Sequence, residues 1–439
     1  MKILHLSTYD TIGGAARAAT RLHVGLGELG VTSSMLVRRK RTQLDTVHVA
    51  PPLNRWRWKL WRFIEDRCIA RNRTGISNTF FTLGQPAFDL SRHPLVVKSD
   101  ILNLHWVGHF QSPATLASLA MLGKPMVWTL HDMRPFTGGC HFSAGCGEYT
   151  TTCEKCPQLQ HDPSALTRRN LAAQREALGG ITIVAPSRWL ANCARRSAAF
   201  RDCRVDVIPY GINTTEFFPV PMTEARAKLG LDQDRTYVLF GADGGGELRK
   251  GAAELRAAFQ HLLAIHPTPE KLTLLCFGAM TEQFTALGEK THALGYLKTT
   301  EQLRLAYAAA DVFALPSLED NLPNTMLESL ACGTPVAGFD VGGIPDLVEP
   351  GVTGALARPG DPQSLADALL EIIRDPAHAR ALGQNSAHRI ASHHTARAEA
   401  EAYRALYPTV QPTRGGKVRH HLPVSRLLWQ ALRAPKSAR

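Results

Sequence analysis

The sequence predicts an α/β protein with parallel sheets, and three observations support this class. Short, mainly apolar runs, such as 100–106 and 125–131, are typical of strands that are buried on both faces of a sheet. Segments with helical spacing separate such runs, and glycine-bearing turns join strands to helices at 11–19 and 243–251. The length of 439 residues favours two domains, each large enough to bury its own core.

Net charge limits the kinds of partner that this protein can have, and cysteine content indicates its cellular compartment. Lys and Arg outnumber Asp and Glu by 50 to 38, so the net charge is +12 and an anionic partner is expected. Nucleotides, membrane surfaces and nucleic acids all qualify on charge alone. Nine cysteines favour a reducing cytoplasm over a disulfide scaffold. No apolar run is long enough for a bilayer span or a secretory signal, so we expect a cytoplasmic protein.

The first element is a strand at residues 2–8, followed by a turn of small residues at 11–19. Gly13 and Gly14 would let the backbone of a strand-to-helix turn approach a phosphate closely, and Arg17 would add positive charge. The turn is therefore a candidate phosphate contact.

Tryptophans and arginines crowd residues 54–73. Trp56, Leu60, Phe63 and Ile64 follow helical spacing, and much of the cationic set falls elsewhere on the helix. Two interpretations stay open. Either the helix binds an anionic membrane surface, or it is a helix of the domain whose arginine side chains lie along apolar protein surface with their charged ends in water. Stacking on nucleic-acid bases is less favoured, because no nucleic-acid module accompanies the segment.

Two buried strands each end near a histidine, His105 and His131. Both would lie at the crevice edge of a parallel sheet. A histidine at this position is often a hydrogen-bonded structural group, and we assign that role to His105. The segment 129–136 around His131 instead favours a functional role.

Four cysteines fall within seventeen residues, in a predicted insertion at 138–160. They are Cys140, Cys146, Cys153 and Cys156. The Cys-x-x-Cys spacing of the last two is that of a zinc knuckle, and the other two thiols would complete a tetrahedral site. Four thiolates favour structural zinc over disulfides in a cytoplasmic chain. Such a set leaves no open coordination position for catalysis.

A strand at 237–242 leads into the glycine-rich turn 243–251, which ends in Arg249 and Lys250. A glycine-rich turn with two adjacent cations before a helix suits a diphosphate, whose charge grows when a bond to it breaks. The order of its glycines excludes a dinucleotide-binding fingerprint.

The stretch 315–336 places two carboxylates around one loop. Asp320 follows a buried strand, and Glu328 lies on a predicted helix at 324–332. An open parallel sheet would present both at its ligand crevice. Backbone N–H groups of residues 322–325 would begin the helix, where a phosphate or a polyol is readily held.

This stretch resembles the acid-x7-Glu signature of retaining glycosyltransferases of the family-4 type. The resemblance implies their GT-B fold, with two facing Rossmann-like domains and a C-terminal cross-over helix. It implies that Asp320 and the amides after it contact donor-sugar hydroxyls, and that Glu328 contacts the ribose. The family usually has Glu where this chain has Asp320, whose side chain is shorter.

The resemblance extends to the other turns. It implies that His131 contacts the donor sugar near the reacting carbon, and that Lys250 contacts the diphosphate. The family arginine about five positions before the Lys-Gly pair is Gly245 here, so Arg249 is the substitute. The implied catalytic set is His131, Asp320, Lys250 and Arg249. The implied donor-binding set is Gly13, Gly14, Asn321, Leu322, Pro323, Asn324, Thr325 and Glu328.

The predicted domain limits follow the same resemblance. An acceptor-side domain covers 1–214, a nucleotide-sugar domain 215–385, a cross-over helix 386–410 and a basic tail 411–439. Helices are predicted at 361–375 and 376–407. The tail has seven basic residues and no acidic residue from 414 onward, and it is interpreted either as a surface-binding helix at 424–432 or as a disordered segment.

The expected activity is retaining transfer of a sugar from a nucleotide sugar, with no catalytic cofactor. Segment 128–159 also resembles transferases of exopolysaccharide clusters, including the colanic-acid type. The preferred acceptor is a lipid-linked oligosaccharide or polysaccharide at the inner face of the plasma membrane, and nucleic acid is not an expected partner. Two alternatives stay open: a sugar-nucleotide epimerase of the same fold, and a membrane-bound scaffold with a degenerate site.

Overall fold

The computed structural model describes residues 1–51, 55–84, 87–162, 165–242, 246–278 and 281–418. Its strands are β1 Lys2–Tyr9, β2 Thr32–Arg39, β3 Val47–Val49, β4 Ile101–Leu104, β5 Met126–Thr129, β6 Leu178–Gly179, β7 Thr182–Ala185, β8 Arg204–Val207, β9 Thr236–Ala242, β10 Leu272–Gly278, β11 Thr291–Gly295, β12 Val312–Leu315, β13 Val336–Phe339, β14 Gly354–Ala357 and β15 Arg414–Gly415. Its helices are α1 Gly13–Glu28, α2 Arg55–Asn72, α3 Pro94–Lys98, α4 Pro113–Ala120, α5 Leu166–Ala177, α6 Arg188–Arg196, α7 Met222–Leu229, α8 Ala252–Ile265, α9 Thr300–Ala309, α10 Asn324–Ala331, α11 Pro362–Ile373, α12 Pro376–His393 and α13 Ala396–Leu406.

Unit 1 is one of two compact units and comprises Met1–Pro209 together with the chain from Ala400. Its main sheet has seven parallel strands in the order β3-β2-β1-β4-β5-β7-β8. Every residue of β4, β5 and β7 is buried, as expected for strands covered on both faces. The strand order reverses beside β1, where open α/β sheets form their ligand crevice.

Unit 2 comprises Tyr210–Glu399 and has a sheet of six parallel strands. Their order is β11-β10-β9-β12-β13-β14, so β9 and β12 are neighbours and their carboxyl ends lie at the same edge. Helices α8 and α11 contribute apolar side chains to the core of this sheet. The predicted α/β class with parallel sheets is therefore confirmed.

The single helix predicted at 376–407 is wrong, because the chain breaks between α12 and α13. Ile212 N–H donates to the carbonyl of His394 at 2.8 Å, and the N–H of Ala396 donates to the carbonyl of Ile212 at 2.8 Å. These bonds to a distant segment replace helical bonds at the break. A local helical pattern contains no signal for such a long-range bridge.

Helix α13 begins in unit 2 and continues into unit 1. The hydroxyl of Tyr403 lies 2.8 Å from Oγ1 of Thr129, and the hydroxyl of Tyr407 accepts a 2.9 Å hydrogen bond from Asn103. The end of this helix and the turn after it therefore pack against strands β4 and β5. In the described part of the chain, no helix has the length and apolarity that a bilayer span requires.

Candidate functional site

Two cations and a carboxylate meet at the strand ends of unit 2. Arg249 and Lys250 end a short 3₁₀ turn after β9, and Asp320 lies in the loop after β12. Lys250 Nζ lies 2.6 Å from Asp320 Oδ2, and Arg249 Nη1 lies 3.1 Å from the same oxygen. Arg249 also pairs with Glu247, its Nη2 2.7 Å from Oε2. The structure thus brings three of the predicted catalytic residues together in one ionic cluster.

The cluster keeps Asp320 ionised. Burial raises the pKa of this carboxyl, but the adjacent Lys250 and Arg249 outweigh that effect and lower the pKa to about 2. A depressed folded-state pKa contributes stability above the unfolded value, and that stability is lost as the pH falls through the folded value. The pairing is therefore complete at neutral pH and fails only in strong acid.

Backbone bonds fix the loop that carries Asp320. The N–H of Leu318 donates to the carbonyl of Arg249 at 2.7 Å, and the N–H of Gly343 donates to the carbonyl of Asp320 at 3.1 Å. Gly251 and Gly342 both have positive φ angles, 70° and 59°. A Cβ on Gly251 would lie 1.8 Å from the carbonyl oxygen of Pro316, so the turn and the loop are in direct contact.

Glu328 lies on α10 and is 9% exposed. Its Oε2 accepts a 2.9 Å hydrogen bond from the hydroxyl of Tyr307, which holds the carboxylate in one orientation. Helix α10 begins after Pro323, which supplies no side-chain cap to the first turn. Predicted donor-binding residues Asn321 and Leu322 are buried in the preceding loop, and Asn324 and Thr325 are part-exposed. Unit 2 therefore carries the whole predicted stretch on one loop and helix.

The glycine turn of unit 1 joins a strand to a helix, as predicted. Helix α1 begins at Gly13, whose φ is 81°, and a Cβ added there would meet nothing within 4 Å. The preceding Ile12 supplies no side-chain cap. Asp10 fixes the approach to the turn, because its Oδ2 accepts 2.8 Å bonds from the N–H groups of Arg41 and Thr42.

His131 belongs to a chain of three histidines in unit 1. Its Nε2 lies 3.1 Å from Nδ1 of His105, and Nε2 of His105 lies 2.9 Å from Nδ1 of His5. Burial lowers the pKa of His131 to about 4 and lowers those of His5 and His105 well below their usual range. All three rings are therefore neutral at neutral pH. His105 is hydrogen-bonded as predicted, and its partner is the functional candidate itself.

Sequence reasoning missed a buried Asp–His pair next to His131. Asp132 Oδ2 lies 2.6 Å from Nδ1 of His141 and accepts a 2.9 Å bond from Nε1 of Trp106. Burial raises the pKa of Asp132, but His141 and the hydrogen bonds around the carboxylate lower it overall. Nε2 of His141 lies 3.1 Å from Oγ1 of Thr82. The two residues of the pair are separated by an irregular turn, so no periodic pattern in the sequence predicts their contact.

The four predicted zinc ligands line one cavity of unit 1. It has a volume of ≈ 20 Å³, and Cys140, Cys146, Cys153 and Cys156 are all in its wall. All four thiols are free of disulfides. As the side chains are placed, no group of three or more His, Cys, Asp or Glu among the described residues could hold a metal ion.

Helix α2 exposes much of its predicted apolar face. Trp56 is 85% exposed, Leu60 57% and Phe63 59%. The fourth residue of that face, Ile64, is instead half-buried and packs with Trp61 against the buried Cys68. Two further sequence features, Gly245 and the tail helix at 424–432, lie outside the described residues.

Two family models match the chain. The model described as Glycosyltransferase Family 4 matches residues 12–216, and the model described as Glycosyl transferases group 1 matches residues 237–375. The first range contains the glycine turn, His131 and the four cysteines. The second contains the ionic cluster and Glu328.

Curated relatives cover part of the chain. An alpha-maltose-1-phosphate synthase from Mycolicibacterium smegmatis is 30% identical over 289 residues, which are 61% of this chain and 68% of that protein. A D-inositol 3-phosphate glycosyltransferase from Streptosporangium roseum is 30% identical over 237 residues, 51% of this chain and 52% of that protein. The chain spans about half the length of the relatives with this second name.

Solved structures share the fold over nearly the whole chain. Sucrose-phosphate synthase from Thermosynechococcus elongatus has a TM-score of 0.64 at 20% identity and covers 93% of this chain and 99% of its own. Anabaena HepE in complex with UDP-glucose has a TM-score of 0.62 at 18% identity, covering 93% of this chain and 100% of its own. These likenesses concern the fold alone.

Proposed function

The chain belongs to the group-1, family-4 glycosyltransferases and has their GT-B fold, and on this premise we propose that it transfers a sugar from a nucleotide-sugar donor to an acceptor hydroxyl. One observation carries the proposal: Lys250 and Arg249 converge on Asp320, at the strand ends that lead to Glu328. Cations at the edge of a parallel sheet where the strands end suit the binding of a diphosphate group.

Four residues of unit 2 have a proposed part in binding the donor. Lys250 and Arg249 contact the diphosphate, Glu328 accepts hydrogen bonds from the ribose, and Asp320 orients a sugar hydroxyl. The fixed orientation of the Glu328 carboxylate by Tyr307 supports the ribose contact, since two vicinal hydroxyls match a carboxylate. Because Anabaena HepE binds UDP-glucose, a UDP-sugar is the donor that we propose to test first for this chain.

The proposed reaction proceeds with retention of configuration. The bond between the anomeric carbon and the diphosphate oxygen breaks, the acceptor oxygen bonds to the same face of that carbon, and its proton passes to the departing phosphate oxygen. No enzyme nucleophile is assigned. Lys250 and Arg249 stabilise the negative charge that grows on the leaving group. His131 is proposed to orient the donor sugar.

A lipid-linked saccharide at an anionic membrane surface remains the proposed acceptor, in bacterial cell-surface polysaccharide synthesis. The exposed Trp56, Leu60 and Phe63 support it, because a cationic, tryptophan-bearing helix face binds such surfaces. The relatives described as D-inositol 3-phosphate glycosyltransferases favour a small phosphorylated acceptor instead. Sedimentation with anionic vesicles, reduced in Phe63→Ser and unchanged in the control Val97→Ser, would support the membrane. Absence of sedimentation would favour a soluble acceptor.

Nucleotide binding tests the proposal directly. Purified protein is screened by thermal shift and calorimetry against UDP-, GDP-, ADP- and TDP-sugars. A ligand that binds only the folded state stabilises it by about 2.7 kcal/mol at 100 times its Kd. We expect stabilisation with one base, and binding weakened about 10- to 100-fold in Glu328→Gln, because a hydrogen bond to a charged group contributes about 1.5–3 kcal/mol.

The matched control for this screen is Glu371→Gln, an exposed carboxylate on α11 of the same unit. It should bind the nucleotide like the wild type. Absence of binding to any nucleotide sugar would overturn the proposal and favour the scaffold alternative. Conversion of the sugar nucleotide without an acceptor would favour the epimerase alternative.

Structural zinc held by the four cysteines is also proposed, and it requires their side chains to move from the positions that the structure gives them. Support comes from the shared cavity and from one sulfur that accepts a backbone hydrogen bond: the N–H of Glu148 donates to Cys146 Sγ at 3.4 Å. Thiolate ligands of zinc accept such bonds from nearby amides. Metal analysis should find about one zinc per chain, lost in Cys153→Ser and retained in Cys276→Ser, a buried cysteine of β10. Metal-free protein with an unchanged melting temperature on zinc addition would exclude the site.

A further inference from the structure

Three aromatic side chains lie together at the edge of the unit 1 sheet where strands β1 and β4 end. Tyr9 is the last residue of β1, and Trp106 follows β4, the neighbouring strand. Their ring planes are 20° apart and their centroids are 6.1 Å apart, as in an offset-stacked pair. Phe80 approaches Trp106 edge to face, with 6.4 Å between the centroids. These three side chains form the aromatic platform.

Polar bonds fix the central ring of the platform. Nε1 of Trp106 donates to Oδ2 of Asp132 at 2.9 Å, and this carboxylate is only 7% exposed. The backbone carbonyl of Trp106 accepts a 2.8 Å bond from the N–H of Thr8. Because the indole nitrogen is bonded to a buried group, the exposed part of this side chain is mainly apolar ring. Gly108 leaves room for it, since a Cβ there would lie 2.9 Å from Cη2 of Trp106.

The backbone holds the third ring, that of Phe80, at the platform. The N–H of His141 donates to the carbonyl of Phe80 at 3.2 Å, and the next residues, Phe81 and Cys140, form an isolated bridge. The side chain is nevertheless 64% exposed. An exposed ring beside two part-exposed rings makes a contiguous apolar surface, and such surfaces commonly mark interaction sites.

The position of the platform favours a small ligand. Strands β1 and β4 flank the point where the strand order of the sheet reverses, and open parallel sheets bind ligands outside the strand ends at such a point. Trp106 directly follows His105, whose Nδ1 lies 3.1 Å from Nε2 of His131, the residue proposed to orient the donor sugar. Membrane contacts are instead typical of an amphipathic helix, and α2 already offers one in this unit.

The chemistry of the platform favours a saccharide ring. A pyranose has C–H bonds on its two faces and hydroxyls around its rim, so one face can cover an aromatic surface while the rim stays hydrogen-bonded. A rigid apolar surface with a few polar groups beside it has the composition of small-molecule sites.

We propose that the aromatic platform is an acceptor subsite that binds one face of a saccharide ring. Trp106 supplies the fixed centre of the surface, and Tyr9 and Phe80 extend it on two sides. The inference rests on the proposed function for the role of this saccharide as acceptor, whereas binding of the saccharide does not require transfer.

The test is saturation-transfer difference NMR of the full chain with the methyl β-glycosides of glucose, N-acetylglucosamine and mannose, recorded with and without UDP. We expect at least one glycoside to bind, with the axial protons of one ring face saturated more strongly than those of the opposite face. Binding of none of them, or equal saturation of both faces, would overturn the proposal.

Four variants assign the binding to the platform. Trp106→Leu and Phe80→Leu each remove a ring but keep an apolar side chain, and each should weaken glycoside binding by about 3- to 10-fold. Gly108→Ala keeps all three rings but displaces the indole, and it should weaken binding as well. The matched control is Phe63→Leu, which removes a 59% exposed phenylalanine of α2 and should bind like the wild type.

The remaining outcomes separate this inference from its rivals. Phe80→Leu alters an exposed side chain and should fold even where Trp106→Leu does not, and unchanged glycoside affinity in it would overturn the proposal. Reduced sedimentation of Phe80→Leu with phosphatidylglycerol vesicles, at unchanged glycoside affinity, would assign the ring to a membrane instead. Nucleotide binding without glycoside binding would overturn this inference alone. Glycoside binding without nucleotide binding would overturn the proposed function alone.

Discussion

Lys250→Ala should lower kcat of sugar transfer by about 100- to 1,000-fold, the usual effect of removing one group that stabilises a developing negative charge. Lys250 Nζ lies 2.6 Å from Asp320, and its side chain is 23% exposed, so the ammonium can reach both the loop and a bound ligand. The charge it balances is largest after the bond to the sugar breaks. The loss should therefore appear in kcat more than in donor binding, measured by product formation at saturating donor.

Folding should survive this substitution, because Arg249 still pairs with Asp320 at 3.1 Å. Circular dichroism and thermal unfolding check this point. Lys271→Ala is the matched control, an exposed lysine of the same unit just before β10, and it should retain wild-type turnover. Wild-type turnover in Lys250→Ala would remove the cation from the mechanism.

Local sequence patterns predicted the elements of the sheets well, for a physical reason. Strand β9 matches the predicted 237–242 to within one residue, because a buried parallel strand is a mainly apolar run. Helix α10 begins at Asn324 as predicted, because prolines mark the loop before it. These signals are contained within a few neighbouring residues.

Contacts between distant residues were not predictable in this way. The break after His393 depends on Ile212, and the orientation of Glu328 depends on Tyr307, twenty-one positions away. The role of His105 could be predicted only as structural, because its bond to His131 joins the ends of two strands. To predict which side chains meet at the ends of two strands, the register of the sheet must be known. The sequence of a single strand does not specify that register.

The largest combined effect on stability and activity is expected for Gly342→Ala. A Cβ at this position would lie 1.8 Å from the carbonyl oxygen of Asp320, and its φ of 59° also disfavours a side chain. The left-handed conformation costs roughly 1–2 kcal/mol, and forced overlap in a packed region costs about 1–3 kcal/mol more. We expect the free energy of unfolding to fall by about 2–5 kcal/mol, measured by urea titration.

Activity should fall further than stability alone explains, because the overlap is relieved by moving the loop that carries Asp320. Misplacement of a reacting group by about 1 Å can cost about 100-fold in rate. Gly351→Ala separates the two causes: its φ is 75°, but a Cβ there meets nothing within 4 Å. It should lose only the roughly 1–2 kcal/mol of backbone strain and keep its turnover. Equal loss of activity in both variants, at a temperature where both are folded, would show that contact with the Asp320 loop does not position the reaction.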